Sequence, residues 1–286
     1  MIDAVIGGAL LGAIFSLIAL GLNLQYGVTR ILNVAHGEFL MMGAYITHFF
    51  FMNYGINPLL CMAISGPMVL VIAFVIQNIV FRRIVLISRA AEELEFRSLL
   101  ACFGLIYIIQ TIIREIFGSL PMSNPYLRES VLILGERFQL NMIVSAVMAV
   151  LISALLYAML RFTKIGLAMR AIVEEPIGAQ LVGINVLRAH SLSFSLGALL
   201  AAIAGIMISM IYTNLTPYVG PHYTFIALTI IVLGGMGSFI GSLVGGFIIG
   251  YIYYLTLKME PLLVMAIVYV FLILFLIFKP KGLFGL

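Results

Sequence analysis

Three side chains able to do chemistry stand close together in "NVAHGEFLMMGAYI", residues 33–46: Asn33, His36 and Glu38. An imidazole two positions from a carboxylate could relay a proton or hold a metal, but positions i and i+2 do not share a helical face. The stretch looks more like a helix start. Asn33 can cap the first turn, and Glu38 falls where a negative charge suits the helix dipole. The preceding "YGVTRILN" holds Gly27, Thr29 and Arg30 and reads as a non-helical link. Two readings stand, a capped helix start with Glu38 held by Arg30 or backbone, and a cavity-lining cluster. A proton relay through Glu38 is a third. A carboxylate inside a bilayer is costly, so it is paired, protonated or turned to water.

Composition says what must position these groups. The 286 residues are 64% hydrophobic and 9% charged, against about 25% charged in soluble domains. Such a chain belongs in a bilayer, where a helical span takes roughly 20 apolar residues. Apolar runs place spans at 2–24, 33–52, 59–81, 98–118, 139–160, 189–212 and 261–278, with 224–256 also apolar but broken by "LGGMGSFIGSLVGG". The expected fold is all-α, one polytopic membrane domain over 1–286 with about eight membrane segments and no room for a soluble enzymatic domain. The net charge of +4 is dispersed rather than striped, which speaks against nucleic acid. Cys61 and Cys102 fall within spans and read as packing residues. "MIDAVIGGALLGAIF" lacks the basic n-region of a signal peptide and reads as the first membrane helix.

Ten of the fifteen basic residues lie in three segments: Arg82, Arg83, Arg89 and Arg97; Arg161, Lys164, Arg170 and Arg188; Lys279 and Lys281. The positive-inside rule puts 82–97, 161–188 and the tail in the cytoplasm. Loop 119–138, of balanced charge, then lies outside, as do 53–58, 213–223 and 257–260. Parity requires 224–256 to enter and leave on the same side, as a re-entrant or broken-helix pair turning at Gly234, Gly235, Met236 and Gly237. It also places the N-terminus outside. A faint echo relates "MGAYITHFFFMNYGINPLL" (42–60) to "GGFIIGYIYYLTLKMEPLL" (245–263), each with a Gly fifteen positions before a Pro. Transporters are often built from repeats with sites where helices break.

The glycines at 237, 241 and 245 recur at every fourth position, which suits close helix packing; direct substrate contact is the alternative. No GxxxxGK[ST] occurs, so no P-loop ATP site is expected. HExxH is absent, as is a GxSxG elbow in its strand-to-helix setting. His48, His190 and His222 stand alone. Within 161–190, "GLAMRAIVEEP" reads as a short helix ended or kinked at Pro176, and "GAQLVGIN" as a second short turn ending near Gly183. This stretch is either an interfacial amphipathic helix or a docking element for a cytoplasmic partner.

Four motifs in order, "NVAHGEFLMMGAY", "GLAMRA…LVGIN", "LGGMGSFIGSLVGG" and "KPKGLFG", resemble the permeases of branched-chain amino acid ABC transporters, most closely the shorter of two sister permeases. The resemblance covers essentially the whole chain. It implies a non-catalytic subunit of a cytoplasmic-membrane importer in a bacterium or archaeon, without cofactor. The implied partners are a sister permease or second copy, two cytoplasmic ATP-binding subunits, and a periplasmic or surface-anchored binding protein. It implies an ATPase-coupling loop containing Arg170, Glu174, Glu175, Pro176 and Gly183, although Pro176 departs from the family's usual wording. It places Asn33, His36, Glu38 and Gly234–Gly237 beside the substrate pathway. Leucine, isoleucine and valine are the expected substrates, with urea or short amides as the alternative. A stand-alone channel or proton-coupled carrier using Glu38 is the competing class; an intramembrane enzyme is more remote, for want of a catalytic set.

Overall fold

A computed structural model describes residues 2–284. In chain order the helices are α1 (Ile2–Thr29), α2 (His36–Tyr54), α3 (Pro58–Ile76) and α4 (Arg82–Ile87), with a π-helical turn at Gln77–Phe81 joining the last two. Next come α5 (Ala91–Phe117), strands β1 (Ser130–Ile133) and β2 (Glu136–Gln139), and α6 (Leu140–Phe162). The rest are α7 (Lys164–Glu174), α8 (Pro176–Leu181), α9 (Val186–Ile211), α10 (Gly220–Gly234), α11 (Phe239–Met259) and α12 (Val264–Phe278), the last preceded by a 3₁₀ turn at Pro261–Leu263. Among the described residues, seven helices are long and apolar enough to cross a membrane: α1, α3 with its extension to Ile87, α5, α6, α9, α11 and α12 with its 3₁₀ turn. The chain is thus an all-α, multi-pass membrane protein, one small hairpin aside.

α1 is apolar on every side, as suits a helix at the centre of a bundle. It lies antiparallel to α11 along its whole length. Asp3 pairs with Lys258 and accepts from the Tyr254 hydroxyl at 2.9 Å. Ser16 Oγ donates to Leu243 O at 3.0 Å, and Asn23 Nδ2 to Ser238 O at 2.8 Å. Its other flank meets α9, where Gln25 Nε2 donates to Phe194 O at 2.9 Å. α2 crosses α9 where Gly205 abuts Leu40 and Gly43 abuts Ala202. α12, by contrast, turns Ile267, Val270, Ile273, Leu274 and Ile277 outward, an all-apolar face suited to lipid.

One end of the bundle gathers Arg82, Arg89, Arg161, Lys164, Arg170 and Arg188; we call it the basic end. The far end carries the 118–139 connection. The sequence reading takes 82–97 as a loop, but only 88–90 are non-helical there. The membrane helices simply run past their apolar stretches into charged turns, since a helix needs no apolar residues once it leaves lipid. The 119–138 loop contains a hairpin that the sequence reading did not anticipate. β1 and β2 pair antiparallel across Leu134 and Gly135, both with positive φ, the geometry whose twist matches a two-residue hairpin. Cys61 and Cys102 are buried and unpaired.

The glycine-rich segment forms a helix pair, α10 and α11, with its turn at the predicted Gly234–Gly237. α11 has 21 residues and α10 has 15, and the turn between them reaches the basic end, where Gly237 lies beside Gly27. The interruption inside the bundle falls at the other end of α10. Gly220 is buried against the start of α2, and the first turns of both helices therefore begin in the interior. The echoed segments end α2 and α11 at the far end, with Gly43 and Gly246 packed on Ala202 and Ser16.

Candidate functional site

The six-residue link after α1 carries the first polar centre. Arg30 has φ +56°, which turns the chain back toward the bundle interior. Backbone groups freed by a broken helix cannot find water there and must be satisfied by protein. Ile31 N donates to Thr29 Oγ1 at 3.1 Å, and Ala35 N to Asn33 Oδ1 at 3.1 Å. Asn33 Nδ2 donates to Gln25 Oε1 at 3.0 Å, tying the link to α1 and, through Gln25, to α9. His36 Nε2 donates to Ile18 O at 3.1 Å, while its Nδ1 has no partner among the described residues. Gly37 N donates to Thr224 Oγ1 at 2.8 Å.

Glu38 is 1% exposed. Gln110 Nε2 of α5 donates to its Oε1 at 2.9 Å, and Oε2 has no partner among the described residues. Its carboxyl group lies against Gly220, where a Cβ would stand 2.5 Å from Glu38 Cδ. The carboxylate therefore faces the first turns of two helices, α2 and α10, where it complements both dipoles. Two details of the sequence reading change. Arg30 does not hold Glu38; its Nη2 donates to Val173 O of α7 at 3.1 Å. The residue capping α2 is Ala35, with no side-chain bond, because Asn33 is spent on the turn before it.

The second centre is the turn between α10 and α11. Gly235 and Gly237 have φ +100° and +91°, conformations that a side chain disfavours. Asn23 clamps the turn from both sides: its Nδ2 donates to Ser238 O, and its Oδ1 accepts from Gly237 N at 2.7 Å. Ser238 Oγ accepts from Gly241 N at 3.1 Å and caps α11. The tail closes α10 from below, Leu283 N donating to Leu233 O at 2.9 Å and Phe284 N to Gly234 O at 3.0 Å. Gly234 packs on Gly241, and Met236 is half exposed at 49%. The backbone N–H and C=O groups freed where the helices break, in the link after α1 and in the turn after α10, are thus largely taken up within the protein.

The structure does not bring the two sets of pathway candidates together. Asn33, His36 and Glu38 sit at the start of α10 and Gly234–Gly237 at its end, roughly 20 Å apart at 1.5 Å per residue. Asn23, Gln25, Gln110 and Thr224 escaped the sequence reading. For the amides, the available signal was a lone polar residue in an apolar run, as in "LIYIIQTII".

The 161–190 stretch folds as α7 and α8. Thr163 Oγ1 caps α7 through Gly166 N at 3.1 Å, and Glu175 Oε1 caps α8 through Ile177 N at 3.2 Å. Pro176 is the first residue of α8, a position where its missing N–H costs nothing. Gly183 ends the pair with φ +86°. Arg170 Nη2 donates to Arg161 O at 3.4 Å, and Glu174 is exposed. Around these charges Ile177, Leu181 and Val182 are 69%, 83% and 77% exposed, at the basic end of the bundle.

Residues 4–277 match the family described as branched-chain amino acid transport system / permease component, and the chain belongs to that family. It is similar to the high-affinity branched-chain amino acid transport system permease protein LivH of Escherichia coli, with 30% identity over 97% of this chain and 93% of the relative. It is 29% identical to the permease protein BraD of Pseudomonas aeruginosa over 87% and 84% of the two chains. A probable branched-chain amino acid transport permease protein LivH of Methanocaldococcus jannaschii is 30% identical over 85% and 77%. No solved structure matches. The chain is thus a membrane transport permease.

Proposed function

We propose that this chain is one of two pore-forming subunits of an ATP-binding cassette importer for branched-chain amino acids, in the cytoplasmic membrane of a bacterium or archaeon. The basic end faces the cytoplasm, the N-terminus lies outside and the C-terminus inside, with the α10–α11 pair counted as one of eight segments. ATP is hydrolysed by two partner subunits beneath the basic end. A sister permease or second copy completes the pore, and a binding protein delivers substrate from outside.

The observation that carries this reading is the α7–α8 unit. Apolar side chains that stay exposed among the described residues, on a charged end, suit insertion into a groove on a partner. ATP-driven closure can shift the pore only through contacts that differ between two states. α7 has a route for such a shift: Val173 O holds Arg30, and Arg30 opens the link that leads to Glu38. The substrate is a zwitterion with an apolar side chain, which calls for helix-end dipoles and an apolar wall. The starts of α2 and α10, with Asn33, His36 and Glu38, supply such dipoles once α5 withdraws Gln110, and the turn at Gly234–Gly237 borders the pathway separately, at the basic end.

Charge reversal of Glu174 and Glu175 together removes the α8 cap, worth about 1 kcal/mol, and inverts the charge of the docking surface. We expect the ATPase subunits to be lost on purification and ATP-driven uptake to fall with them. Leu181→Asp leaves the cap in place and is expected to do the same. Normal co-purification and uptake in both variants would overturn the coupling role. Subunit masses of the intact complex decide between a sister permease and a second copy.

The unpartnered Oε2 of Glu38 favours a second reading, a proton-coupled carrier working without ATPases. Urea or a short amide as substrate would appear as uptake that leucine does not compete.

A further inference from the structure

A cleft of about 270 Å³ opens at the basic end between α1, α6 and α7. Apolar residues such as Leu24, Leu160 and Met169 line its floor, and Arg161, Arg170 and Glu174 stand at its mouth. A second cavity, of about 480 Å³, runs along α1 between α6 and α11. Ala13 and Ser16 form its floor, Val150 and Ala154 one wall, Leu243 and Phe247 the other. The two meet at Tyr157 and Phe239, which line both. Those two rings pack on each other at 5.4 Å between the charged cleft and the apolar groove, which lies open on the bundle surface at Val150 and Ile240.

The two guanidiniums are built into place. Arg161 Nη1 donates to the Tyr157 hydroxyl at 2.7 Å, and its guanidinium carbon lies 6.0 Å from that ring's centre. Arg170 Nη2 reaches the backbone oxygen of Arg161. Among the described residues neither is in a salt bridge, although Glu174 shares the cleft. Arg30 adds a third cation behind α7, on Val173 O. Three cations and one carboxylate leave a positive site where membrane helices end, and arginine forks match phosphate oxygens.

We propose that the cleft and the adjoining groove bind one anionic phospholipid, its phosphate on Arg161 and Arg170 and one acyl chain laid over Tyr157 and Phe239 into the groove between α6 and α11. The charge at one end fits a lipid, whose phosphate the two arginines match, better than an apolar helix of a partner subunit, which would leave the arginines unmatched. The proposal depends on the chain being a membrane protein and is independent of its substrate.

The test is native mass spectrometry of the purified complex with added phosphatidylglycerol or phosphatidylcholine, together with its melting temperature in detergent. One phosphatidylglycerol per copy of this chain should be retained and should raise the melting temperature; phosphatidylcholine and inorganic phosphate should do neither. Arg161→Gln should weaken retention about fivefold, and adding Arg170→Gln about fivefold again, at the value of one basic residue near an anionic surface. Ala154→Trp should fill the groove and displace the lipid with both arginines intact, whereas Leu155→Trp, on the outward face, should not. Equal retention of the two lipids, an equal effect of inorganic phosphate, retention unchanged in the double arginine variant, or a cysteine at 154 cross-linking to a partner permease would each overturn it.

Discussion

Gly37→Ala should cripple the protein, although alanine is the better helix former. A Cβ on Gly37 would overlap the Gly220 carbonyl and lie 2.6 Å from Thr224 Oγ1. The obstacle is mainly backbone, which cannot rotate away, so α2 and α10 must part. Parting also breaks the Gly37–Thr224 bond and lifts Glu38 off the start of α10. Overpacking costs about 1–3 kcal/mol where side chains can adjust, and we expect the upper end here. At roughly 2–4 °C per kcal/mol for a domain of comparable size, the melting temperature in detergent should fall by about 6–12 °C. Uptake should drop with it. Gly104→Ala is the control: no atom stands within 4 Å of its Cβ position, and helix propensity favours the change by about 1 kcal/mol. If Gly37→Ala melts and transports like Gly104→Ala, α2 and α10 do not meet as described.

Asn23→Leu should release the turn between α10 and α11. The substitution removes the donor to Ser238 O and the acceptor from Gly237 N together. A polar group stranded in this way costs about 1–3 kcal/mol; since Gly237 is exposed and water can reach it, we expect about 2–3 kcal/mol for the pair. A cysteine placed at Met236 should then react faster with a water-soluble thiol reagent, and α10's last turn should exchange its amide hydrogens sooner. Asn23→Asp retains the acceptor and should fall between the two. Unchanged labelling in Asn23→Leu would mean that the tail bonds from Leu283 and Phe284 suffice to hold the turn.

What the sequence made legible were features set by local chemistry. Apolar runs located the spans, because a bilayer leaves few alternatives to helix. Pro176 and Gly183 marked the ends of α7 and α8, because each restricts or frees its own backbone. The glycines at 241, 245, 246 and 250 pack closely on Gly234, Ile230, Ser16 and Gly12, the use their spacing suggested, while Gly237 serves the turn. What stayed hidden were partners far apart in the chain. Gln110 lies 72 positions from Glu38, and Asn23 lies 214 from Gly237. Nothing in "LIYIIQTII" says which carboxylate its amide will meet. The depth at which α2 and α10 begin was equally hidden, because it depends on Arg30 turning the link inward. The hairpin at 130–139 had its turn pair, Leu134–Gly135, in view, but its strands are four residues each, too short to show an alternating pattern.

The most direct test is uptake of labelled leucine into proteoliposomes holding the purified complex, with ATP supplied on the ATPase side and binding protein on the other. A permease moved by partner subunits gives uptake that requires ATP, stops when the ATPases are omitted, and persists in Glu38→Gln, whose amide keeps the shape of the contact with Gln110. Uptake by this chain alone, independent of ATP and abolished in Glu38→Gln, would contradict it.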